Sequence, residues 1–148
     1  MPSFTKNIHL ISRCGSAYRA EGLAGSGLSH AHYFYILALC NNPGISQEQL
    51  ARRLYLNKSS VTRAIAILER DGFVRRETHA EDKRVLLLYP TEKAEALLPR
   101  VRLVARGWND FLLADLEAGE REQFLATLEK VTAKAQSYID ERDEGVEA

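Results

Sequence analysis

A mainly α-helical chain with one small β-hairpin is expected from this sequence, and three observations carry that expectation. Apolar residues recur at helical spacing over five stretches, 4–20, 29–40, 47–70, 91–113 and 118–140. One stretch, 73–90, reads instead as two short strands around a charged tip. The chain has 148 residues with 45% hydrophobic content, enough for one domain, or one compact module with helical extensions, around a real core.

The first helix, 4–20, carries Ile8, Ile11, Gly15 and Tyr18 along one face, and Gly15 allows close contact with another helix. The run 21–27 is flexible by composition. Ser29 caps a second helix, dense in aromatics at Tyr33, Phe34 and Tyr35 and ending at Cys40. The residues 41–44, Asn-Asn-Pro-Gly, form a turn, since Pro43 restricts φ and Gly44 tolerates positive φ. Ser46 and Gln49 have the spacing of a capping box and open a short helix over 47–54. Asn57 then caps a helix that Gly72 stops. Val61, Ala64, Ile65 and Leu68 are its apolar face, and Lys58, Ser59, Ser60, Thr62 and Arg63 are its polar face.

Two strands follow, 73–78 and 85–89, with 79–84 as the loop between them. Leu86 and Leu88 share one face, so this hairpin must lean on the helices. Thr91 caps a long helix with a seam of Leu97, Val101, Val104, Trp108 and Phe111, bent at Pro99. The last helix, 118–140, repeats the seam with Phe124, Leu128, Val131, Ala135 and Tyr138. The acidic segment 141–148 is expected to fray.

Two short helices, a turn and a charged hairpin make a helix-turn-helix with a wing, whose second helix fits a DNA major groove. Net charge is zero, but its distribution is uneven. Residues 52–84 hold nine bases against five acids, and residues 115–148 hold ten acids against four bases. The basic segment coincides with the helix-turn-helix, and phosphate affinity follows such a local patch.

The run NKSSVTRAIAILERDGFVRRETHAEDKRVLLLYPTEKA resembles the MarR (multiple antibiotic resistance regulator) family of winged-helix transcription factors. The resemblance rests on Leu68-Glu69, Gly72-Phe73-Val74, Arg76 and Asp82-Lys83-Arg84, and on LSHAHYFYILALCNNPGISQEQLA upstream. It is strong between Leu28 and Glu95 and rests only on the helical pattern at the ends; Ala94 stands where the family often has glycine. It implies a regulator of double-stranded operator DNA, with repression as the usual mode. The single MarR-like module would divide into a DNA-binding part, about 29–90, and a helical dimerisation part, about 4–20 and 91–140.

Candidate DNA contacts are Lys58, Ser59, Ser60, Thr62 and Arg63 on the helix and Lys83 and Arg84 on the wing. Arg63 suits a bidentate guanine contact. The resemblance implies a minor-groove role for Arg84, and Asp82 suits orienting an arginine of the wing rather than touching phosphate. The bland alternative is a solvated helix face and a polar hairpin tip. The two apolar seams imply a homodimer on a pseudo-palindrome, the alternative being an intrachain helical hairpin.

The resemblance also implies a small aromatic or lipophilic effector, in a crevice lined from His9, Tyr18, Arg19, Tyr33 and Trp108; the same aromatics could simply fill the core. The two cysteines, Cys14 and Cys40, read as buried free thiols. A redox-sensing branch of the family makes Cys14 an alternative sensor, with Arg13 and Arg19 lowering its pKa. No metal site is expected from the spacing of His9, His30, His32 and His79, and no cofactor is expected. Enzymatic groupings are missing from the sequence. A winged helix used as a protein-interaction module remains open, disfavoured by the basic helix and wing. With no membrane-spanning run and no signal-peptide pattern, a cytoplasmic protein is expected.

Overall fold

The computed structural model describes residues 3–146. The chain forms two compact units that divide between Trp108 and Asn109. The first contains α1 (Phe4–Gly22), a 3-10 turn (His30–His32), α2 (Tyr33–Asn41), β1 (Ile45–Ser46), α3 (Gln47–Arg53), α4 (Lys58–Arg70), β2 (Val74–Thr78), β3 (Leu86–Pro90) and most of α5 (Glu92–Leu112). The second holds the end of α5 and α6 (Ala118–Val146).

Local chemistry sets the helix boundaries. The Ser46 hydroxyl accepts from the Gln49 amide at 3.1 Å, and the Gln49 side chain accepts from the Ser46 amide at 3.0 Å, so the expected capping box closes at both ends. The Asn57 carboxamide oxygen accepts from the Ser60 amide at 2.8 Å and starts α4. That helix buries Val61, Ala64, Ile65 and Leu68 in the core, each leucine or isoleucine contributing about 1.5–3 kcal/mol.

Both helices of the motif end alike. After α4, Gly72 steps to φ +81°, the Gly72 amide donates to the Glu69 carbonyl and the Phe73 amide to the Leu68 carbonyl. This is a Schellman end, with buried Phe73 against buried Leu68 as its apolar contact. After α3 the Tyr55 and Leu56 amides make the same bonds to the Arg52 and Ala51 carbonyls. Here Tyr55 takes the left-handed conformation at φ +53°, a position that favours glycine. Neither glycine nor asparagine stands at that position in the sequence.

The sheet has three antiparallel strands in the order β1-β3-β2, which corrects the expected two-stranded hairpin. Ile45 and Ser46 pair with Leu88 and Leu87; a strand of two residues has no alternation to read. Leu88 lies opposite both Ile45 and Arg76 and is fully buried. Ser29 caps the 3-10 turn rather than an α-helix, and α2 begins only at Tyr33.

In α5 the helix runs unbroken through Pro99. Its expected dimer seam is corrected in part: Val101 and Val104 are buried in the first unit's own core, with Leu97 packed against it, whereas Phe111 is exposed. Arg100 donates to the carbonyls of Gly22 and Ala24 and so completes the C-terminal end of α1. Gly15 and Gly107 allow close approach, since a Cβ at Gly15 would lie 3.0 Å from the Trp108 indole nitrogen and one at Gly107 2.6 Å from the Tyr18 hydroxyl.

In the second unit α6 continues to Val146, so the expected fraying of 141–148 is corrected over 141–146; its last two residues lie outside the described residues. Phe124, Leu128, Val131, Ala135 and Tyr138 are all exposed along one helix. No helix among the described residues is long and apolar enough to cross a membrane.

Gly72→Ala should lower stability by about 1 kcal/mol through left-handed strain alone, because a Cβ there meets nothing closer than the Lys93 side chain at 3.8 Å. Thermal unfolding should show a drop of roughly 3 °C, and an unchanged midpoint would deny that α4 ends in this conformation.

Candidate nucleic-acid interface

The N-terminal turns of α4 present Lys58, Ser59, Thr62 and Arg63 to solvent, with Ser60 half-buried. They are not equally free. The Thr62 hydroxyl donates to the Lys58 carbonyl at 2.9 Å and accepts from Nε2 of the Gln47 side chain at 2.6 Å. Thr62 therefore ties α3 to α4, and its hydroxyl would have to leave two bonds to reach a base. Ser59 donates to Asn57 at 2.9 Å, and Arg63 makes a long bond of 3.4 Å to Ser60. Lys58 pairs with Glu48 at 3.3 Å across the motif. Gln47 and Glu48 escaped the sequence reading, although both sit in the first turn of the capped helix, facing the polar stripe.

At the wing, Asp82 holds Arg84 as expected. Its carboxylate accepts from the Arg84 amide at 3.0 Å, from Nε at 3.1 Å and from Nη2 at 3.2 Å. Those bonds hold the Asp82 carboxyl below the usual carboxylate range. The Arg84 side chain remains 91% exposed, so it is aimed yet accessible. Lys83 beside it is exposed. His79 Nδ1 accepts from the amides of Glu81 and Asp82, at 3.1 and 3.4 Å. Lys58, Thr62 and Arg84 line one open cleft with Ser46, Gln47 and Leu86, so helix and wing share a surface.

The joint behind that surface is built from family-motif residues. Arg76 on β2 grips Glu69 on α4 through two bonds of 2.6 and 2.8 Å. The hydrogen bond from Arg76 lowers the Glu69 pKa. From α5, Lys93 donates to the Asp71 carbonyl at 2.7 Å, and the Thr91 hydroxyl to the Gly72 carbonyl at 2.6 Å.

Of the expected effector residues, four come together. Tyr18 and Trp108 pack with ring centroids 5.3 Å apart and planes tilted by 38°, and the Arg19 guanidinium lies 4.8 Å above the Tyr33 ring. Burial pushes the Tyr33 hydroxyl pKa up, against the opposing effect of Arg19. Arg19 Nε is buried without a hydrogen-bond partner. His9 stands exposed nearer the start of α1, apart from this group.

The reading of both cysteines as buried is corrected: Cys14 is exposed and Cys40 half-buried, because in the single chain α1 is exposed throughout 4–14. Burial raises the Cys40 pKa. Arg19 turns to Ser16 at 3.1 Å and to Tyr33 rather than to Cys14.

A capped helix-turn-helix with an exposed basic second helix and an arginine-tipped hairpin defines a DNA-binding regulator of the winged-helix class. Residues 26–85 match the MarR family. Among similar proteins, the HTH-type transcriptional regulator YybA of Bacillus subtilis is 28% identical over 131 residues, spanning 88% of this chain and 87% of that one. An HTH-type transcriptional repressor of Mycobacterium tuberculosis is 29% identical over 126 residues, 83% of this chain and 91% of that one. A MarR family regulator of Listeria monocytogenes, solved with 26-mer DNA, superimposes with TM-score 0.83 at 26% identity, covering 95% of this chain and 96% of that one. Over most of its length this chain is thus similar to transcription regulators, and over residues 26–85 it matches the MarR family.

Because the Glu69 pKa is lowered on folding, its contribution to stability is present above the unfolded value of about 4.3 and is lost as pH falls through the lower folded value. Glu69→Gln should therefore shallow the acid-side loss of stability relative to the native chain. Parallel unfolding curves at every pH would show that the fork with Arg76 contributes nothing.

Proposed function

We propose that this chain is a repressor that binds a pseudo-palindromic operator as a two-fold homodimer in the cytoplasm. The observation that carries the reading is the shared surface of α4 and the wing, where Lys58, Thr62 and Arg84 line one cleft. In this reading Arg63 reads a base edge and Ser59 and Ser60 contact base or phosphate. Lys58 and Lys83 meet phosphate, and Arg84 enters the adjacent minor groove. Thr62 acts chiefly by holding α3 against α4. The DNA-bound Listeria relative and the mycobacterial repressor support this assignment.

The dimer reading rests on exposed apolar surface. Ile8 and Ile11 on α1, and Phe124, Leu128 and Tyr138 on α6, are all exposed in the single chain. Seams of this kind are covered in helical dimers, and residues 4–20 and 91–140 would supply them here. An effector would enter the group of Tyr18, Arg19, Tyr33 and Trp108, an acid satisfying the unpaired Arg19 Nε. It would act by binding more tightly to one spacing of the two reading heads than to the other.

Selection of random duplex DNA at two salt concentrations should recover an inverted repeat with half-sites about 10 base pairs apart or a multiple of that. Binding should fall steeply with salt. Arg63→Ala should then cost roughly 1–3 kcal/mol on the selected site and much less on random DNA. An equal loss on both would make it a phosphate contact. Light scattering should give twice the chain mass, and a stable monomer at micromolar concentration would rule out the dimer.

A further inference from the structure

Arg84 is exposed at the end of a loop, and an exposed arginine ordinarily samples many rotamers. Here it does not hang free, because Asp82 receives three of its N–H groups. Asp82 is itself positioned by its backbone. The Asp82 amide and the Glu81 amide both donate to His79 Nδ1. The loop closes through the His79 amide on the Val85 carbonyl at 2.9 Å and the Val85 amide on the Asp82 carbonyl at 3.0 Å. One imidazole acceptor thus folds the turn that carries the carboxylate that aims the arginine. His79 is half-buried, whereas Lys83 and Arg84 are exposed.

We propose that His79 is the positioning residue of the wing, acting on DNA only through Asp82 and Arg84. Two short-range acceptors in series preorganise the tip before DNA arrives, so little rotamer freedom is lost on binding. Asparagine could replace the imidazole, since its side-chain oxygen accepts amides two and three residues ahead in the same way. This inference rests on the reading that Arg84 enters a narrow minor groove.

The test compares the full-length native chain with H79A, H79N, R84A and the double variant H79A/R84A. The probes are two duplexes of equal length, one with A·T tracts and one of G·C pairs. The native chain should prefer the A·T duplex, and R84A should abolish that preference. H79A should lose about fivefold on the A·T duplex with little change on the G·C duplex, H79N should restore binding, and the double variant should be no weaker than R84A. Hydrogen exchange in the free protein should show the Glu81 and Asp82 amides protected in the native chain and in H79N, and fast in H79A.

If R84A keeps the A·T preference, the minor-groove reading fails and this inference falls with it. If R84A loses the preference while H79A keeps it, only the role of His79 is overturned. Additive losses in the double variant would also overturn it, since His79 would then act independently of Arg84.

Discussion

A single left-handed step at Gly72 is the constraint on which the helix-turn-helix and its wing depend. Four separate bonds converge within a few residues of it. The step ends α4, turns the chain into β2, and leaves the Asp71 and Gly72 carbonyls free to accept from Lys93 and Thr91 at the start of α5. Arg76 then reaches back to Glu69. Helix, wing and the long helix behind them are thereby fixed at one joint. A reading head must hold its helix and wing at a set separation to engage neighbouring grooves together. Rigidity at this joint supplies that separation, and the buried face of α4 holds the helix to the core.

In front of the joint the chemistry changes from apolar packing to short-range polar bonds. Thr62 and Gln47 couple the two helices, Glu48 engages Lys58, and Asp82 holds Arg84. These are exposed groups, and each such ion pair contributes little to stability. Their consequence is orientation. The chain arranges its donors before any partner arrives, which limits the entropy lost on binding. It also separates positioning groups from contact groups, a distinction invisible in a polar stripe.

Elsewhere the molecule leaves apolar surface uncovered. Phe4, Ile8 and Ile11 on α1 and the seam of α6 carry much of it. Some of the α5 seam proved to be ordinary core, with Val101 and Val104 packed in the first unit. A four-three repeat arises wherever a helix buries one face, whatever covers that face. Periodicity therefore identifies an apolar face without naming its partner.

Much of the architecture was legible in the residues alone. Ser46 with Gln49, Asn57, Gly72 and Thr91 mark helix ends by local hydrogen bonding or backbone freedom, effects that act within a few residues and so are written in sequence. The apolar stripe of α4 and the basic character of its other face were equally plain. Three features needed the tertiary structure. The strand Ile45–Ser46 exists only because Leu87 and Leu88 offer it a ladder. The left-handed Tyr55 closes α3 through its own amide and that of Leu56, without the glycine that would announce it. Which donors on α4 are already engaged depended on Gln47, fifteen residues from Thr62. Local chemistry sets where elements begin and end. Contacts between residues distant in sequence decide which side chains remain free to act, because only the fold brings their partners within reach.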